Sequence, residues 1–124
     1  VLEGPFGNIK GFSAGSDVNN SYYVTSLPSN VTTLATRNGN ASRVFSFKHN
    51  TLGYMFVGDS GWMAGSATDT YIDIWPAKMS GTGIPQSKRY VGGVTVYNSI
   101  MYANAMAWAI KYAQENSNPS YLIP

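Results

Sequence analysis

The chain has 124 residues, enough for a single core that buries about two thirds of the unfolded surface, so one domain spanning residues 1–124 is expected. Charged residues make up only 11%, against roughly 25% in ordinary globular chains, and the net charge of +2 comes from eight basic and six acidic residues scattered along the sequence. No electrostatic footprint for nucleic acid is present, and the absence of cysteine excludes a disulfide framework, a thiol nucleophile and any Cys-ligated metal.

The first 20 residues hold four glycines and one proline, with Phe6, Ile9 and Phe12 as pinning points, and read as irregular chain with one edge strand. Ser21 to Leu27 has the aromatic and β-branched content of a strand, ended by Pro28. For the following segment two readings compete: a two-turn helix over Val31 to Arg37, capped by Ser29 or Asn30, or a hairpin turning at Asn38-Gly39. The helix is expected, because a hairpin centred there sets Leu34 opposite Arg43. "RVFSFKH" and "GYMFVG" then form a hairpin with Asn50 to Gly53 as a four-residue connection.

A loop is expected over Asp59 to Thr68, and Asp69 to Trp75 alternates as a strand that Pro76 stops. A Gly/Pro-punctuated loop follows, then a last strand over Tyr90 to Tyr97 with a bulge at Gly92-Gly93. The clearest element is a helix starting at Asn98 or Ser99, rich in Ala and Met and closed by "NSNP". Met101, Ala105, Trp108 and Tyr112 make one apolar stripe. Tyr102, Met106, Ala109 and Ala113 make its neighbour, and only Asn104, Lys111 and Glu115 are left as a polar face. The fold class expected is α+β: an antiparallel sheet of about four to six strands with one long, mostly buried C-terminal helix packed on one face.

Gly58-Asp59-Ser60-Gly61 resembles the tetrapeptide around the reactive serine of chymotrypsin-like proteases, and a strand running into Gly-Asp-Ser is similar to the first block of SGNH esterases. Either resemblance implies Ser60 as nucleophile, which needs a histidine base and a separate orienting acid. His49 is the only histidine, no acid lies between it and Asp59, and none of the residues after Ser60 is a histidine, so neither triad can be assembled. A hydrolase using Ser60, with Lys78 or Lys88 as base, is kept only as a remote alternative. Asp59, Asp69 and Asp73 match neither a calcium loop nor a fixed carboxylate pair. No metal and no cofactor is expected.

Binding remains. The chain carries 11 Asn, 23 Ser plus Thr and nine Tyr, an uncharged polar surface suited to hydrogen bonding and aromatic stacking. Trp62 in its Gly-flanked loop with Asp59 beside it, Trp75 at a strand end, and Tyr23 are the candidate ligand-binding residues. Tyr22 and Tyr23 are adjacent on a strand, so one faces the core and the other solvent. Asn19, Asn30 and Asn40 each head a glycosylation sequon, and Lys88-Arg89 resembles a dibasic processing site. The function expected is a non-enzymatic, secreted or particle-surface binding domain that recognises an extracellular glycan or protein surface, located outside the cell or on a virion. The alternative is a small secreted toxin whose 99–115 helix contacts membranes. The sequence carries no signature of oligomeric state.

Overall fold

The computed structural model describes residues 1–12, 22–58, 79–89 and 95–116. In chain order these form β1 (Glu3–Gly4), β2 (Gly7–Asn8), β3 (Val31–Thr36), β4 (Val44–His49), β5 (Met55–Val57), β6 (Lys88–Arg89), β7 (Thr95–Val96) and helix α1 (Asn98–Asn116). The class is α+β with a C-terminal helix, as expected. The single sheet of four to six strands is not what the described residues form: strands 3-4-5 make one antiparallel sheet, while β1-β2 and β6-β7 are separate two-stranded pairs.

β3, β4 and β5 are built where β-branched and aromatic residues concentrate. β4 is the middle strand, and Val44, Phe45, Ser46 and His49 on it are buried. The expected β4–β5 hairpin is present. Phe47 pairs with Phe56 across it, their rings stacked at 5.2 Å, and the His49 amide bonds the Tyr54 carbonyl to close the connection over residues 50–53.

The expected helix over Val31 to Arg37 is overturned. Val31, Thr32, Thr33 and Thr36 are β-branched, and an open β4 edge beside them offers ladder bonds that a two-turn helix cannot match. The chain instead reverses at Asn38-Gly39, with φ of 51° and 72°, and the Asn40 amide bonds the Arg37 carbonyl at 3.0 Å. The awkward pairing of Leu34 with Arg43 does not arise, because the connection runs from Arg37 to Arg43, closed by the Arg37 amide on the Arg43 carbonyl, so that Thr36 faces Val44; further out, two opposite register shifts leave Ala35 facing Ser46 and Thr33 facing Phe47. Leu34 on β3 and Phe45 on β4 are therefore each an extra residue, the signature of bulges. The Ser21–Leu27 strand shrinks to one bridge, Val24 with Val44, for the described residues 22–27.

α1 begins at Asn98, and the Met101 amide bonds the Tyr97 carbonyl at 2.8 Å. Met101 and Ala105 are buried and Trp108 and Tyr112 half-buried, so the first stripe is the core face. "Mostly buried" needs correcting for the second stripe, where Tyr102, Met106 and Ala113 are exposed, as is Ile110 beside it. Asn104 needs the opposite correction. It belongs to no solvent face but is 2% exposed. Its Nδ2 donates to the carbonyls of Gly7 (2.9 Å) and Val1 (3.2 Å), and its Oδ1 accepts the Phe6 amide (3.1 Å). One helix amide thereby fastens the β1–β2 hairpin, satisfying backbone groups that two two-residue strands cannot pair for themselves. Further along α1, Lys48 Nζ lies 5.4 Å over the Trp108 ring. Among the described residues no helix is long and apolar enough to cross a membrane.

Lys88 and Arg89 lie in β6, paired with Val96 and Thr95, rather than in open loop. The strand expected over Asp69 to Trp75, the loop over Asp59 to Thr68 and the bulge at Gly92-Gly93 lie outside the described residues.

Candidate functional site

The two bulges shape a cleft. A cavity of about 540 Å³ opens beside the β3–β4 turn, with Leu34 and Phe45, the two extra residues, in its wall together with Ala35 and Thr36. Its size falls in the range of small-ligand pockets, about 300–1,000 Å³. The remaining lining comes from Leu2 and Ile9 to Phe12, Tyr23, and the turn residues Arg37 and Asn38.

Aromatic rings line one side. Phe45 is buried, with Phe12 at 5.5 Å and Tyr23 at 6.2 Å between ring centroids, both tilted. Tyr23 is held there by backbone: Tyr22 N–H bonds the Gly58 carbonyl, Gly58 N–H bonds the Phe45 carbonyl, and Val24 and Val44 exchange both of theirs. Gly58 can only be glycine in this arrangement, since a Cβ there would run into the Tyr22 carbonyl oxygen. The adjacent tyrosines divide as alternation requires: Tyr22 is 76% exposed while Tyr23 is half-buried and lines the cleft.

Arg37 lies against the same tyrosine. Its Nη1 donates to the Tyr23 hydroxyl at 2.7 Å, and its guanidinium carbon lies 5.5 Å from the centre of the same ring. A long cationic side chain is thereby held in one orientation, with four of its five N–H groups uncommitted to Tyr23. Lys10 is the second cation in the lining, and among the described residues that line it none is an acid. Among the described residues the one ion pair is Lys111 with Glu115, exposed on α1.

Of the ligand-binding residues expected from sequence, Tyr23 is in this cleft, whereas Asp59, Trp62 and Trp75 lie outside the described residues, as does Asn19. Asn30 and Asn40 are both exposed; the Asn40 side chain accepts the Ser42 amide at 2.9 Å. Lys10 and Arg37 were not singled out by the sequence, and Phe12 only as a pinning point of the first segment. Lys10 and Arg37 are separated by 26 intervening positions and share no motif. The available signal was the turn chemistry of Asn38-Gly39, which, taken as a hairpin, puts Arg37 at a strand end beside Tyr23.

His49, the only imidazole, offers no general base to solvent. The ring is buried, and its Nδ1 accepts the backbone amides of Thr51 (3.1 Å) and Leu52 (2.9 Å), while the Asn30 side-chain amide lies 3.2 Å from Nε2. Among the described residues there is no group of three or more potential metal ligands. No family model, curated protein or solved structure matches the chain.

Proposed function

We propose that the protein is a recognition domain that binds a glycan in the cleft lined by Tyr23 and Arg37. The observation that carries this reading is the combination of an aromatic wall with a hydrogen-bonding edge in one cavity. The apolar face of a pyranose stacks on rings such as Tyr23 and Phe12, and its hydroxyls need the donors and acceptors that Arg37, Asn38 and Thr36 supply. A surface poor in charge and rich in Asn, Ser, Thr and Tyr favours an extracellular or particle-surface setting for such contacts.

Screening on a glycan array tests the reading. Wild type is expected to retain a defined set of saccharides, and Tyr23→Ala to lose them while keeping its far-ultraviolet circular dichroism. An array left blank by wild type removes it. A second reading, membrane perturbation by α1, draws on the exposed Tyr102, Met106 and Ile110. It predicts dye release from liposomes that Met106→Ser with Ile110→Ser abolishes.

A further inference from the structure

We infer that the saccharide bound in this cleft carries a carboxylate, received by Arg37 and Lys10. The inference rests on the recognition reading above and specifies its ligand. Charge is scarce in this protein, yet two of its eight basic residues line one cavity whose described lining holds no acid. Neither Arg37 nor Lys10 has an ion pair among the described residues, where the one such pair is Lys111 with Glu115 on α1. Arg37 instead meets a phenol hydroxyl and a ring face, contacts that orient the guanidinium without neutralising it.

An oriented planar fork suits a planar anion. A carboxylate can accept two parallel N–H bonds from the guanidinium, and Lys10 contributes a point charge that does not depend on geometry. The aromatic wall of Phe12, Tyr23 and Phe45 limits solvent screening on one side of the pair and leaves a flat surface for the sugar ring. A neutral sugar would fill the same space but leave both cations without a partner. A uronic acid and a sialic acid share the required chemistry.

Isothermal titration calorimetry with trigalacturonic acid, its methyl ester, 3′-sialyllactose and lactose distinguishes these sources and tests the assignment. At least one acid is expected to bind about tenfold or more tightly than its neutral counterpart, a ratio worth about 1.4 kcal/mol. Raising the salt should weaken that acid selectively. Lys10→Ala and Arg37→Ala should each erase most of the preference. Arg37→Lys, which keeps the charge and loses the fork, should retain only part of it and guards against a folding defect in the alanine variant. Equal binding of acid and neutral partners, or an acid preference that survives Lys10→Ala and Arg37→Lys unchanged, overturns the carboxylate assignment and leaves glycan recognition standing. Failure of all four probes together with a blank glycan array overturns both.

Discussion

His49 Nδ1 accepts the backbone N–H of Leu52 at 2.9 Å, and this contact organises the connection between β4 and β5. The Thr51 amide converges on the same nitrogen at 3.1 Å. A nitrogen that receives two N–H groups carries no proton of its own, so the neutral ring holds its hydrogen on Nε2. Asn30 Nδ2 is the atom placed 3.2 Å from Nε2, and turning the side-chain amide over brings its oxygen there to accept that hydrogen. Long-range nitrogen–proton correlation spectra at pH 8 should show the Nε2–H tautomer; an Nδ1–H pattern would contradict this geometry. His49→Ala removes the shared acceptor and a buried ring, and should cost about 2–3 kcal/mol in urea unfolding.

Asn104→Leu tests the fastening of the N-terminal hairpin. Leucine fills a comparable volume but strands the Phe6 amide and the Val1 and Gly7 carbonyls. The expected loss is about 2–3 kcal/mol, with faster hydrogen exchange at residues 3–8. If exchange there is unchanged, the three bonds do not hold the hairpin.

At the turn beside the cleft, the backbone should discriminate between neighbours. Gly39→Ala forces a Cβ into the left-handed region and should cost about 1 kcal/mol, whereas Asn38→Gly should be neutral within a few tenths. Urea midpoints compare the two. Equal effects would show that the turn does not depend on positive φ.

The Lys48–Trp108 contact gives a smaller effect. Lys48→Met keeps the apolar stem over the indole and removes the charge, so the expected loss of about 0.5–1 kcal/mol isolates the cation–π part. Trp108→Leu should make the same substitution nearly silent in a double-mutant cycle. A Lys48→Met effect that persists in the Trp108→Leu background would assign the loss to another contact.

Legibility followed the strength of local pattern. α1 and the β4–β5 hairpin were readable because a long periodic segment and two aromatic runs around a polar connection leave few alternatives. Val31–Thr36 was misread because Ser29 and Asn30 imitate a helix cap, while the pairing partner that decides the matter lies beyond the turn. Two bulges cannot be read from residue types, and the Leu34–Arg43 clash that argued against the hairpin disappears because the connection takes in residues 37–43 rather than Asn38-Gly39 alone. Asn104 looked like solvent-facing decoration because its partners sit about a hundred positions away. In the cleft, Tyr23 was legible from alternation beside Tyr22. Arg37 and Lys10 were not, since only the folded chain brings them to one cavity.

The hairpin at the start of the chain also sets an order of events. Two strands of two residues cannot persist alone, and their fastening residue is made 98 positions after Phe6. During synthesis residues 3–8 therefore leave the ribosome long before the residue that fastens them, while β3, β4 and β5 can pair locally. The first hairpin docks only once α1 has emerged. Closing so long a loop makes this a late step, so a chain truncated before Asn104 should keep its central hairpins and lose its beginning.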